Sequence, residues 1–189
     1  MKQAADPAAR RLRVQLRWII GICLSWLAWE ICVYVWHLTR LPPGINAPFV
    51  LSASDQAFGI GPGGNESGLL TFALAPGEAP KIGRGGVAGL EARTGVWWGE
   101  TPVRVSSPPM AQEDWLYEDG TGDPHPAGHR PSITDYLDRY GFGIGIGDRR
   151  EKKIDDILNS PGAFYTYGDH GGMTIVSPRH GWVIYAYAG

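Results

Sequence analysis

The sequence predicts an α+β protein with a single N-terminal transmembrane helix. After it comes a small domain in which an antiparallel sheet, ending in a three-strand meander, packs with two or three helices. Three observations predict this. Residues 18–38 form one long apolar run, WIIGICLSWLAWEICVYVWHL. Two capped, amphipathic segments follow near 132–140 and 149–159. The last 27 residues carry three short β-compatible runs separated by glycine-containing turns.

The first segment, 1–17, holds Lys2, Arg10, Arg11, Arg13 and Arg17 against Asp6, a net charge of +4. Residues 38–189 hold 12 Lys/Arg and 17 Asp/Glu, a net of −5. The mildly acidic outer part argues against binding a nucleic-acid backbone, which needs an extended basic surface, so no nucleic acid is expected as a partner. Both cysteines, Cys23 and Cys32, lie in the apolar run. The outer part therefore has no disulfide of its own and must rely on packing.

The 21 residues of 18–38 match a hydrocarbon core of about 30 Å at about 1.5 Å per residue. Trp18 and Trp36 fall at its ends, where aromatic belts sit. The five cations before it predict a signal-anchor with its N-terminus in the cytoplasm. A cleaved signal peptide would have a shorter core and a small-x-small cleavage site, which VWHLTRLPPG does not offer. The expected location is a single-pass bacterial inner-membrane protein, with residues 39–189 facing the periplasm.

This helix is expected to have two faces. At about 100° per residue, Gly21, Ser25, Ala28 and Cys32 fall within about 60° of arc and form a stripe of small residues. Such stripes let membrane helices approach closely. Glu30 lies about 180° away, and Trp26, Tyr34 and His37 share its side. A charged acid near the bilayer centre costs roughly 2.5–3.5 kcal/mol unless it is neutralised or paired. These eight residues are the candidate partner-binding surface, for another membrane protein or a second copy of the chain.

Residues 39–68 read as a Gly/Pro-rich linker and domain entry, and 69–189 as the extracytoplasmic domain. Leu69–Ala75 is the first expected strand. Residues 78–92 have Ala79, Ile82, Gly86 and Leu90 at helical spacing, weakened by several glycines. Residues 95–130 are irregular and polar, with a short strand expected at 103–106. Ser132 and Asp135 form a capping box for a helix whose inward stripe is Ile133, Tyr136, Leu137 and Tyr140, stopped by Gly141. Residues 149–159 form the next helix, with Ile154, Ile157 and Leu158 inward. Strands follow at 163–167, 173–177 and 182–188. In the last one Trp182, Ile184, Ala186 and Ala188 share one face, and Val183, Tyr185 and Tyr187 the other. Neither face is polar, so both should be covered.

The chemical motifs are sparse. GIGPGG (59–64) has the spacing of a dinucleotide fingerprint, but proline interrupts it and a strand follows where a helix is needed. Asp119, Asp123, His125 and His129 are the candidate metal ligands, although Pro124 and Pro126 prevent the helix that would align the two imidazoles. Asp169 and His170 form a candidate functional turn. His180 lies in the next turn, at the other end of strand 173–177. No GxSxG, HExxH or domain cysteine is present, so no catalytic residue is assigned and no cofactor is expected. The leading expectation is a non-enzymatic binding or assembly component of a membrane complex. The alternatives are an anchored metal-dependent or acid/base hydrolase and a small-ligand or peptide sensor.

Overall fold

The computed structural model describes residues 7–58, 65–103, 130–138, 144–168 and 172–188, and of 7–14, 55–58 and 65–66 the backbone only. The chain forms two compact units, residues 1–39 and 40–189.

The first unit is one helix, α1 (Pro7–Leu38). Its segment Gln15–Leu38 is long and apolar enough to cross a membrane, as the sequence predicts. Trp18, Ile22, Trp26 and Trp29 are all largely exposed. In water such a surface would be strongly unfavourable, at roughly 25 cal/mol for each Å² of apolar area.

The second unit is built on one six-stranded sheet. In chain order its elements are β1 (Phe49–Phe58), β2 (Asn65–Ala73), α2 (Glu78–Thr94), β3 (Gly99–Glu100), α3 (Ile133–Asp138), α4 (Asp148–Leu158), β4 (Phe164–Tyr167), β5 (Gly172–Ser177) and β6 (Trp182–Ala188). The strand order is β1-β2-β6-β5-β4-β3, and every neighbouring pair is antiparallel. The expected meander is therefore only part of a larger sheet, continued on one side by β2 and β1 and on the other by β3. The stretch read as a linker supplies β1 and the start of β2. The apolar residues of FVLSASDQAF are too few to announce a strand. Its partner β2 makes it one, by offering a free ladder of amides and carbonyls. The strand expected at 103–106 lies largely outside the described residues, and β3 falls four residues earlier.

Both faces of the sheet are covered, as the last strand predicts. On one face Leu69, Tyr165, Met173, Ile175, Ile184 and Ala186 pack with Ile133, Tyr136 and Leu137 of α3 and Ile154, Ile157 and Leu158 of α4. The capping box is present: Ser132 Oγ accepts from Asp135 N at 3.1 Å, and Asp135 Oδ2 accepts from Ser132 N at 3.0 Å. Ile133 N donates to Asp155 Oδ1 of α4 at 2.8 Å, so one helix caps the other. Burial and the nearby Glu151, Asp135 and Asp156 push the Asp155 carboxyl above the usual range. Arg150 of α4 reaches over the hairpin, donating to Ser54 Oγ (3.1 Å) and Thr71 Oγ1 (3.0 Å).

The alternate residues, Leu70, Phe72, Val176, Val183 and Phe164, are buried on the opposite face. Strand geometry puts them there because successive side chains alternate. α2 supplies buried Ile82, Leu90 and Thr94, and Trp98 is buried with its Nε1 donating to Thr94 Oγ1 at 2.9 Å. Close approaches within the sheet need glycine. A Cβ on Gly68 would lie 2.3 Å from the Tyr187 ring, and one on Gly172 2.6 Å from the Tyr185 hydroxyl.

α2 is not a straight helix. Glu78 in its first turn contacts Arg93 in its last, Oε2 to Nη2 at 2.6 Å. Fifteen residues of straight helix would separate their backbones by about 22 Å, further than the two side chains together span. The chain folds back at Gly86, whose φ of 56° and ψ of −154° interrupt the helix. The weak, glycine-rich helix of the sequence is thus two short halves forming a hairpin. Glu78 is buried and also accepts from Lys81 Nζ at 3.0 Å, while Arg93 donates to the Gly44 carbonyl at 2.8 Å. Hydrogen bonds from Arg93 and then Lys81 hold its carboxyl below the usual 4.5, against a smaller opposing effect of burial.

This pair should be a main tie of the hairpin. Glu78→Gln is expected to cost about 1–3 kcal/mol in denaturant unfolding, because a buried charge-assisted hydrogen bond is lost. The depressed carboxyl contributes stability that is complete above the ordinary value of 4.5 and is lost as pH falls through the lower folded value. A variant with unchanged midpoint and unchanged acid sensitivity would show that the hairpin holds by packing alone.

Candidate functional site: the membrane helix and a Ser177–His180 cleft

All eight predicted helix residues lie on the regular helix α1, so their angular separation survives. Gly21, Ser25, Ala28 and Cys32 share one side, with Glu30, Trp26 and Tyr34 opposite. Glu30, Trp26, Tyr34 and Cys32 are exposed, whereas His37, expected on the same open face as Glu30, is buried. The arrangement offers one smooth side and one polar, aromatic side.

Asp119, Asp123, His125, His129, Asp169 and His170 lie outside the described residues. Among the described residues no three His, Cys, Asp or Glu side chains gather as a metal site. Trp97 and Trp98, just before β3, are engaged internally. Trp98 N donates to Glu91 Oε1 (3.2 Å), and the Trp97 carbonyl accepts from Thr166 Oγ1.

One site escaped the sequence reading. The turn between β5 and β6, Ser177-Pro178-Arg179-His180-Gly181, faces the segment that leaves α4. Together they line a cleft of about 330 Å³, with Asp156, Ile157, Ser160, Pro161, Gly162 and Ala163 as the opposite wall. The turn is set by backbone bonds from His180 N to Ser177 O (3.2 Å) and from Gly181 N to Pro178 O (3.2 Å), with Gly181 at a φ of 66°. Ser177 Oγ lies 2.8 Å from His180 Nδ1. The His180 ring stands 6.0 Å from the Trp182 ring, and Lys153 Nζ lies 3.6 Å from that ring's centre. Desolvation first, then the positive Lys153 and Arg179, push the imidazole below its usual 6.5.

A serine beside a histidine raises the question of nucleophilic catalysis. The geometry answers against it. Ser177 is only 2% exposed. Asp156, the carboxylate of the cleft, is held by Lys152 at 2.9 and 3.1 Å. Among the described residues no carboxylate hydrogen-bonds to His180, so the orienting third group of a triad is missing. The pair instead locks a turn and leaves polar hydrogens beside the cleft. The sequence signal was present, since Ser and His three apart in a Pro/Gly turn can bond, but α4 and its exit loop make the opposing wall only in three dimensions.

Compared with family models, with curated proteins and with solved structures, the chain matches none. The class defined by its own coordinates is an α+β domain following one candidate membrane-spanning helix.

His180 gives a pH prediction. Its depressed value means that the unfolded chain binds the proton first, so stability is full above about 6.5 and falls as pH drops through the folded value. His180→Gln should flatten the melting temperature between about pH 7 and pH 5. An unchanged slope would mean that another group titrates there.

Proposed function

We propose that the protein is a membrane-anchored, extracytoplasmic binding or assembly component of a membrane complex. The observation that carries this reading is the exposed apolar helix with Glu30 on its aromatic side. An acid at that depth is costly unless it meets a donor or is protonated, and the opposite stripe of small residues suits close helix packing. The five cations of residues 1–17 favour a cytoplasmic N-terminus and an outer domain on the periplasmic side of a bacterial inner membrane. The partner is another membrane protein or a second copy of the chain.

A second reading, a small-ligand sensor, is favoured by the cleft at Ser177 and His180. An anchored hydrolase draws its support from residues 119–129 and 169–170, and the Ser177–His180 pair adds none.

The test of the first reading is gentle detergent solubilisation, then mass determination and identification of co-purifying proteins. The wild type should run as a complex or homo-oligomer. Glu30→Leu should shift it at least about tenfold toward the monomer, corresponding to about 1.4 kcal/mol of association. A wild-type monomer whose behaviour is unchanged in the variant would reduce the helix to a tether.

A further inference from the structure

We propose that the cleft between the end of α4 and the β5–β6 turn binds a small soluble ligand through an oxyanion group, a phosphate or a carboxylate. The groups that receive it are Arg179, Ser160 and the Ser177–His180 pair. This deepens the ligand-sensing reading and stands independently of what the membrane helix does.

The volume of about 330 Å³ falls at the lower end of small-molecule sites. Ile157 and Ala163 give the cleft a buried apolar floor. Its polar groups are mainly donors. Arg179 is exposed, and among the described residues its guanidinium has no hydrogen-bond or ion-pair partner. The Ser160 hydroxyl is likewise unengaged there, while the Ser160 carbonyl accepts from Thr101 Oγ1.

The Ser177–His180 pair leaves one hydrogen over in either tautomer. If the hydroxyl donates to Nδ1, the ring proton sits on Nε2. If Nδ1 donates, the hydroxyl hydrogen is left over on a serine only 2% exposed, so the ring proton of the exposed His180 in the first tautomer is the one a ligand reaches. Arg179 beside a hydroxyl and a ring hydrogen is the donor set that phosphate and carboxylate recognition uses.

The local field agrees. The charges that act on His180 are Lys153 from α4 and Arg179 from the turn, both positive. Asp156 is the one carboxylate of the lining, and Lys152 neutralises it at 2.9 Å. A cationic ligand would meet Arg179 and Lys153 with a single, already paired acid to receive it. An anion meets the reverse. Lys153 is held over Trp182, so its charge stays near the site. A bound anion should also favour the imidazolium form of His180, which makes affinity rise as pH falls.

The experiment is calorimetric titration of the full-length protein in neutral detergent with inorganic phosphate and, separately, succinate, at about pH 7.5 and about pH 5.5. One of the two anions should bind saturably, and the ratio of wild-type to His180→Gln affinity should be at least about threefold larger at the lower pH, a comparison in which the anion's own protonation cancels. Arg179→Gln should weaken binding by about tenfold, the size of a lost charge-assisted contact. Arg179 and His180 are both exposed, so these variants should fold, and their melting curves verify it. Lys81→Gln, on a distant exposed lysine, should change nothing. Glu30→Leu should leave anion affinity intact even where it dissociates a complex, which separates this proposal from the role of the helix. No saturable binding of either anion in the wild type, or binding indifferent to Arg179→Gln, overturns the assignment.

Discussion

The pairing of β2 with β6 is the contact on which the second unit, residues 40–189, depends. Seven residue pairs, from Ser67↔Ala188 to Ala73↔Trp182, join the beginning of the domain to its end. Without them the β1–β2 hairpin and the β6–β5–β4–β3 piece would be two small ribbons, each with a newly bared edge and neither large enough to hold a core. With them the sheet becomes wide enough for helices on both faces. The connection spans more than a hundred residues, so its loop-closure cost falls before any packing rewards it.

The covering of the two faces follows from that sheet by different means. On one side α3 and α4 bring ordinary apolar stripes, fixed by a capping box and by Asp155, which caps the neighbouring helix. On the other side the covering element is a glycine-rich segment that folds back at Gly86. A buried Glu78 holds its two ends through Arg93 and Lys81. Glycine lowers the helix propensity of this segment, and the same residue permits the reversal that a better helix former would forbid. Tyrosines complete the sheet by lying over Gly68 and Gly172, filling the space that a missing side chain leaves.

The two units suit different functions. The helix exposes an apolar surface that carries Glu30 and the free thiols of Cys23 and Cys32. The second unit sets a buried Ser177 beside an exposed His180 in a turn and places unengaged donors around a cleft. The two proposals rest on separate residues.

By itself the sequence determined what local chemistry determines. The apolar run at 18–38, the Ser132–Asp135 cap, the inward Ile133, Tyr136 and Leu137 of one helix and Ile154, Ile157 and Leu158 of the next, and the last three strands all depend on residues within a turn or two of one another, while Tyr140 and Gly141 lie outside the described residues. The β6 alternation even announced that both faces of the sheet would be covered. The tertiary structure alone decided the rest. A strand formed in the segment read as a linker, because an edge of β2 was free to pair. A marginal helix became a hairpin, because Glu78 and Arg93 found each other. A cleft formed beside His180, because the exit of α4 lies against a turn almost twenty residues further along the chain. In each case the deciding partner is distant in sequence, and its free energy appears only once the chain has closed the loop that brings it near.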